Sequence, residues 1–255
     1  MEKKSHFAPT LSVITVVYNN VKDIARTLHS VLDQSYPHIE YVVVDGGSTD
    51  GTLAVLRQYE DRISQLISEP DEGIYDAMNK GLRMATGDYV LFMNSGDELY
   101  ASNTVEAVFA SAPDSDIYYG ETELRNESWE PIGIRRHSTP DQFTWKSFRY
   151  GMNISHQAIY VRKSLAPAYD LQYRLSADVD WVIRAAKQAR SITNTRLLVA
   201  KYLVGGLSKK RHRESLRERY AILSKHYGAV PNLINHGVIA LRYLRHRILH
   251  GKPKD

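Results

Sequence analysis

The stretch YVLFMNSGDELY, residues 89–100, is the part of the sequence from which the fold is most directly predicted. Its first five residues are apolar or aromatic, which is typical of a buried β-strand. The run then changes at once to Asn94-Ser95-Gly96-Asp97-Glu98. An Asp-x-Asp sequence at this place would bind a metal ion, but Asn stands first and Gly third, so only the Asp97 carboxylate remains. Two interpretations are open, a metal and nucleotide site with fewer acids or a polar turn.

Strands and helices alternate on the N-terminal side of this stretch. Short β-branched runs predict strands over residues 11–17, 41–44 and 65–68, in addition to the strand over 89–93. Helical spacing of apolar residues predicts helices over 22–34, 48–59 and 75–85, with Ser48 or Asp50 as candidate N-cap of the second. This alternation predicts an α/β fold with a mostly parallel sheet and helices on both faces.

A polar, acidic or glycine-rich loop follows each of the four predicted strands. The loops are YNN at 18–20, DGGSTDG at 45–51, EPDEG at 69–73 and NSGDE at 94–98. Because ligands bind beyond the carboxyl ends of parallel strands, the four loops predict one site. Neither a dinucleotide-binding G-x-G-x-x-G nor a Walker sequence is present. Carboxylates repel phosphates but hold a divalent cation that binds them, so the loops predict a nucleotide diphosphate site with Mg²⁺ or Mn²⁺.

The second half of the chain is less regular. Residues 116–119 and 157–161 read as further strands, and residues 125–150 as a loop-rich segment. Ser176 is placed to N-cap a helix with Asp178 and Asp180 in its first turn. Acidic residues there stabilise the helix macrodipole without any chemistry, so a structural and a catalytic role for Asp178 are both open.

Length and composition limit the possible classes. At 255 residues the chain predicts one large domain, alone or with a small extension. It has no Cys, no apolar run of membrane-spanning length and no signal-peptide pattern at the N-terminus, so we expect a cytoplasmic protein.

The basic charge is concentrated at the C-terminus. From residue 201 onwards there are 13 Lys and Arg against 3 Asp and Glu. Residues 232–252 place apolar side chains on one helical face, with arginines interspersed: Ile234, Val238, Leu241, Leu244 and Ile248. This pattern predicts either a helix on an anionic membrane, at the inner face of the plasma membrane, or a helix docked on its own domain.

Five sequences in order, SVITVVYNN, YVVVDGGSTDGT, DEGIYDAMNKGLRMATGDYVLFMNSGDEL, SHQAIYVRKSL and LSADVDW, resemble glycosyltransferase family 2 of the GT-A fold, bacterial polysaccharide-biosynthesis type. The resemblance covers about residues 11–206. It implies a GT-A, Rossmann-like domain over 1–208 and a basic helical C-terminal extension over 209–255.

The resemblance also implies roles for individual residues. The nucleotide and donor sugar would be bound by Thr15, Val17, Asn19, Asp45, Asp71, Asn79, Asn94 and Ser95. Asp97 would be the metal ligand and Asp178 the catalytic base. Gly46 and Ala177 stand where the family more often has a second acid. In the metal motif Asn94 is an uncharged ligand and Gly96 offers no side chain, so we expect weaker metal binding than at a site with three carboxylates.

Four further residues are weaker candidates. His156 precedes a strand and is either a phosphate or acceptor contact or a structural histidine. Lys209 and His212 lie in a basic loop, which either closes over the diphosphate or is a surface loop without a role in binding. Trp145 is a candidate for stacking on the acceptor sugar.

The implied reaction is inverting transfer from a UDP-linked sugar to a hydroxyl of a lipid-linked or growing polysaccharide acceptor. A divalent metal stabilises the leaving diphosphate and a single carboxylate accepts the hydroxyl proton. The acceptor would be a saccharide or polyprenyl-linked, and no nucleic-acid partner is expected. The alternatives are a noncatalytic nucleotide-sugar binder and a sugar nucleotidyltransferase. A nucleotidyltransferase requires a Gly-rich basic loop after the first strand, and this chain has Tyr18-Asn19-Asn20 there, which argues against that class.

Overall fold

The computed structural model describes residues 8–134, 139–150, 154–205 and 211–250, with the backbone alone for 240 and 242–250. The strands are β1 Leu11–Val17, β2 Ile39–Asp45, β3 Gln65–Ser68, β4 Tyr89–Phe92, β5 Glu98–Leu99, β6 Ile117–Arg125, β7 Pro131–Ile134, β8 Ile159–Arg162 and β9 Ile192–Leu203. The helices are α1 Ile24–Leu32, α2 Thr52–Arg57, α3 Ile74–Met84, α4 Thr104–Ala110, α5 Ala177–Gln188, α6 His212–Tyr227 and α7 Ala229–His250. Short 3-10 helices lie at Glu60–Arg62, Trp145–Tyr150, His156–Ala158 and Lys163–Leu165.

One sheet runs through the molecule in the order β3-β2-β1-β4-β8-β6-β9-β5, with β7 paired to β6. The first four strands in this order are parallel, and β9 is parallel to β6. In register, Val17 pairs with Asp45 and Asp45 with Ser68, so the carboxyl ends of these strands meet at one edge. β1 and β4 are buried along their whole length, which agrees with their mostly apolar sequences.

The predicted α/β class is confirmed, and β1 and β3 have the predicted bounds. The C-terminal half adds antiparallel pairings of β8 with β4 and β6. The helix expected from residue 48 begins at Thr52, because the Asp50 carboxylate accepts the Thr52 amide two residues on and holds a turn there. Ser176 occupies the N-cap position of α5, but its hydroxyl bonds Ser215 instead of a helix amide.

The sequence patterns did not predict β5, α4, β7 or β9. β9 is a twelve-residue strand whose alternation is broken where Arg196 takes a φ of 57°. The pairing of β9 with β6 shifts register around Gly120, so a period-2 pattern is lost on both strands.

The two C-terminal helices pack against the body of the domain. Ile222 and Leu223 of α6 are buried, and the Glu218 carboxylate accepts the amides of Arg174 and Leu175 just before α5. Asp180 of α5 is fully buried and bonds Arg184 and His226, which joins α5 to the end of α6. No helix in the described part of the chain is long and apolar enough to cross a membrane.

Candidate active site

The loops after β1 and β2 are tied together at the carboxyl edge of the sheet. The Asn19 amide donates to the Ser48 hydroxyl, and the Asn19 side-chain oxygen accepts the Thr49 amide at 2.8 Å in each case. The Asp45 carboxylate is fully buried beneath them and accepts the Ser68 hydroxyl at 2.6 Å. Asp45 therefore stabilises these two loops from below, and the loops cover its carboxylate.

Asp71 lies above Gly46, in the space that a larger residue would fill. A Cβ built on Gly46 would stand 2.3 Å from Asp71 Oδ2 and 3.4 Å from the Tyr18 ring. The Asp71 carboxylate also accepts the Gly73 amide at 2.8 Å. The glycine at the second position of the Asp-Gly-Gly sequence thus makes room for a carboxylate from the next loop.

The turn after β4 is held from below by α1. The Thr27 hydroxyl is fully buried; it accepts the Gly96 amide at 2.9 Å and donates to the Asp97 carbonyl at 2.8 Å. Gly96 has a φ of 103°, a conformation that favours glycine. Asn20 donates to the Ser95 hydroxyl and so joins this turn to the loop after β1.

Asp97 is buried at the bottom of the turn, with two protein donors on its carboxylate. The Leu203 amide donates to Oδ1 at 3.0 Å and the Gln157 side-chain amide to Oδ2 at 2.5 Å. Burial raises the pKa of Asp97 to about 7, against the lowering effect of these two hydrogen bonds. Close by, the side-chain oxygen of Asn94 is buried and has no hydrogen-bond partner.

Asp178 stands in the first turn of α5, half-buried, and accepts a hydrogen bond from the Tyr75 hydroxyl at 3.1 Å. The Tyr75 ring stacks on Tyr169 at 5.3 Å between centroids. Asn79 in turn fixes Tyr169, since it accepts the Tyr169 amide at 2.7 Å and donates to the Tyr169 carbonyl at 3.0 Å. Tyr75 and Asn79 lie four residues apart on one face of α3, so a single helix positions Asp178.

These elements enclose a cavity of about 730 Å³. Six of the predicted site residues line it: Asn19, Asn94, Ser95, Asp97, His156 and Asp178. The cavity lining does not include Thr15, Val17, Asp45, Asp71 or Asn79. Thr15 is fully buried and donates to the Met93 carbonyl, so it supports the turn after β4 from inside the sheet.

His156 is buried among aromatic rings at the back of the cavity. Its Nε2 and the Tyr169 hydroxyl share a hydrogen bond at 2.7 Å, and its ring stacks on Phe92. Burial lowers the pKa of His156 to about 4, although the negative charge of Asp178 acts in the opposite direction. At neutral pH His156 is therefore uncharged, and it can offer a hydrogen bond but no positive charge to a phosphate.

Two arginines of the cavity wall were missed by sequence reasoning, and a third side chain, Tyr18, was expected there only as part of the loop 18–20. Tyr18 is 63% exposed and lines the cavity beside Gly46. Arg174 and Arg219 also line it, and the Nε of Arg219 is buried without a hydrogen-bond partner. Both arginines lie outside the recognisable motifs and reach the cavity only because α6 packs on α5, so no local pattern could have indicated them.

The remaining candidates lie away from the cavity or outside the described residues. The Trp145 ring stacks on Tyr227 at 5.6 Å and carries the Lys187 ammonium over its face. His212 is the exposed first residue of α6 and does not line the cavity. Lys209 lies outside the described residues.

The fold is shared with solved glycosyltransferases. The crystal structure of Staphylococcus aureus TarS 1–349 in complex with UDP-GlcNAc superimposes with a TM-score of 0.65 at 20% identity, covering 93% of this chain and 72% of that one. The mannosyltransferase PcManGT from Pyrobaculum calidifontis, in complex with GDP-Man and Mn²⁺, gives 0.65 at 20% identity, covering 96% and 77%. The chain therefore has the GT-A glycosyltransferase fold.

Sequence comparison identifies the family. Residues 12–166 match the sequence model of Glycosyl transferase family 2. The uncharacterized glycosyltransferase Rv1514c of Mycobacterium tuberculosis is 34% identical over 217 residues, 81% of this chain and 79% of the relative. The PGL/p-HBAD biosynthesis glycosyltransferase of Mycobacterium bovis BCG is 33% identical over 212 residues, 79% and 80%. The chain belongs to glycosyl transferase family 2 and is a glycosyltransferase, which disfavours the nucleotidyltransferase alternative.

Proposed function

We propose that this glycosyltransferase moves a sugar from a UDP-linked donor to a hydroxyl of a lipid-linked or growing polysaccharide acceptor, with inversion at the anomeric carbon. The observation that carries the proposal is the position of Asp178. It projects into the cavity from the first turn of α5, across from the turn Asn94–Asp97, with the Tyr75 hydroxyl on its Oδ1.

Asp178 is the general base in this proposal. One of its oxygens is oriented by Tyr75, which leaves the other free to accept the proton of the acceptor hydroxyl. The oxygen of that hydroxyl then attacks the anomeric carbon from the side opposite the diphosphate, and the bond to the diphosphate breaks. A single carboxylate and direct displacement give inversion, and no second carboxyl group is needed as an acid for the leaving group.

The uridine would occupy the end of the cavity near Tyr18 and Asp71. The exposed Tyr18 ring offers a face for stacking, and the Asp71 carboxylate above Gly46 offers an acceptor for a base N–H or a ribose hydroxyl. Asp45, buried below, would act by holding the Ser48 loop. One solved structure of this fold contains UDP-GlcNAc and another contains GDP-Man, so the identity of the nucleotide base is tested directly below.

The diphosphate would lie over the turn Asn94–Asp97, near Arg174 and Arg219. Within the described ranges no three His, Asp or Glu side chains form a metal cluster, so the chain supplies only part of a cation site. The unpartnered Asn94 oxygen and the uncompensated Asp97 carboxylate nevertheless fit a cation whose other ligands are diphosphate oxygens and water. When bound, Mn²⁺ or Mg²⁺ would offset the negative charge that develops on the leaving diphosphate.

The acceptor proposal rests on the relatives and on the basic C-terminal region. The mycobacterial relative is named for PGL/p-HBAD biosynthesis. A shorter match, 46% identical over 97 residues, is to the putative teichuronic acid biosynthesis glycosyltransferase TuaG of Bacillus subtilis. These names support the proposal that the product is a cell-envelope glycoconjugate.

The test is release of UDP or GDP from a panel of UDP- and GDP-sugars with Mn²⁺, comparing the wild type with Asp178→Asn. Turnover should fall by about 10²–10⁴-fold in the variant, because the proton acceptor is lost. Donor binding, followed by thermal shift, should be kept. Glu127→Gln is the matched control, since Glu127 also lines the cavity but has no proposed role. Donor binding without turnover in the wild type would instead establish a noncatalytic nucleotide-sugar binder.

A further inference from the structure

α7 presents an apolar stripe to solvent. The stripe consists of Val230, Leu233, Ile234 and Leu241, whose side chains are 71%, 63%, 63% and 68% exposed. Their spacing of three, four and eleven residues places them on one face of the helix. In the sequence, Leu244 and Ile248 continue the same helical register to the end of α7.

The domain itself uses the opposite face of α7. Asn232 is fully buried and donates to the Tyr220 carbonyl at 3.0 Å and to the Ser224 hydroxyl at 2.9 Å, both on α6. His236, one turn further, packs edge-on against Tyr220. Asn232 and His236 therefore contact α6, while the four residues of the stripe, which intramolecular docking would have buried, face outwards; Val238 and Ile239 are half-buried. This distinguishes between the two roles that the sequence left open.

The charge of α7 indicates what covers the stripe. The helix carries three Arg and three His and no Asp or Glu. Two copies meeting through this stripe would bring cations against cations, whereas an anionic surface would be attracted to them. In the sequence Arg242, Arg245 and Arg247 alternate with apolar residues, and such a pattern is typical of a helix that lies in a membrane interface.

We infer that α7 docks the protein on an anionic membrane surface through the stripe of Val230, Leu233, Ile234 and Leu241. The inference deepens the proposed function, since a lipid-linked acceptor would lie in that surface. α6 links the two places: Arg219 lines the cavity, and the next residue, Tyr220, accepts the hydrogen bond from α7. Docking of α7 would thus hold the cavity at the surface that carries the acceptor.

The test is flotation of the full chain with two kinds of vesicle, phosphatidylcholine alone and phosphatidylcholine with phosphatidylglycerol. The variant is Ile234→Ser with Leu241→Ser. The matched control is Ile132→Ser with Ile134→Ser on β7, where the two side chains are 54% and 55% exposed. Both double variants remove similar exposed apolar groups, so neither should change the thermal unfolding temperature.

We expect the wild type and the β7 control to bind the anionic vesicles at least about tenfold more tightly than the neutral ones. The α7 variant should lose at least about tenfold of that binding, because two apolar side chains no longer enter the interface. UDP-sugar binding, measured by thermal shift, should be the same in all three proteins, so a failure of the proposed function would show there and not in flotation. Equal flotation of the two double variants, or equal binding to both kinds of vesicle, would overturn the inference. So would a wild-type dimer that the α7 substitutions dissociate.

Discussion

Asp97→Asn should make the folded protein more stable at alkaline pH. Asp97 is 5% exposed, and burial raises its pKa from 3.8 to about 7. The folded state therefore resists ionising this carboxyl, at a cost of about 4 kcal/mol once the pH exceeds both values. Asparagine has the same shape and no charge. It can keep the bond from the Leu203 amide, and the Gln157 amide can turn over to accept from it.

The sign of the pH dependence follows from the raised pKa. An acid whose pKa is raised by folding favours the folded state at low pH, and this contribution is lost as the pH rises from 3.8 through about 7. The stability gained in Asp97→Asn should accordingly be about 4 kcal/mol at about pH 8 and only about 2 kcal/mol at about pH 5.5. His156, whose pKa is lowered to about 4, has the opposite pH dependence but is present in both proteins and cancels in the difference.

The measurement is urea unfolding of both proteins at the two pH values. The m-value should be unchanged, since the surface exposed on unfolding is the same. Addition of UDP with Mn²⁺ should stabilise the wild type more than the variant, because a bound cation offsets the buried charge that only the wild type has. A variant that is less stable at about pH 8, or a difference that does not change with pH, would refute this account of Asp97.

Two further substitutions test other parts of the structure. Asp180→Asn should lower the free energy of unfolding by about 2–3 kcal/mol at neutral pH, because this buried carboxylate binds Arg184 and His226 and its pKa is lowered to about 2. Asp170→Asn, which removes a 30%-exposed partner of the Lys225 ammonium, should cost less than about 1 kcal/mol, and equal losses in urea unfolding would contradict the argument. Gly46→Ala should leave stability within about 1 kcal/mol but weaken UDP binding in calorimetry by about tenfold, since the new methyl displaces the flexible Asp71 carboxylate. Unchanged UDP affinity in that variant would remove Asp71 from the nucleotide site.

The N-terminal half of the fold was predictable because local pattern and tertiary role coincide there. β1 and β4 are buried on both faces, so their sequences are mostly apolar and bounded by polar loops. β9 lacked such a signal: only part of it is buried, and Arg196 interrupts its alternation. α4, a helix of seven residues, was also missed.

The site was predictable to the extent that its residues belong to motifs. Asn94 and Asp97 were named because they follow a recognisable strand, and Asp178 because it stands in a family motif; the structure brings the three to one cavity. The sequence did not indicate which residues form hydrogen bonds with these side chains. Gln157 and Leu203 come to Asp97 from segments 60 and 106 residues away. Such contacts depend on the packing of the whole sheet, and no spacing in the sequence encodes them.

Gly228 separates α6 from α7, with a φ of 89° and its amide on the Ser224 carbonyl. Everything before it, including the α6 residue that lines the cavity and the ion pairs on Asp180, belongs to the catalytic body. After it, Asn232 and His236 of α7 contact α6, and the stripe of Val230, Leu233, Ile234 and Leu241 is exposed. Gly228 is therefore a suitable junction for a chimera. Replacing the helix after it would change the surface to which the protein binds, while the chemistry at Asp178 stays the same.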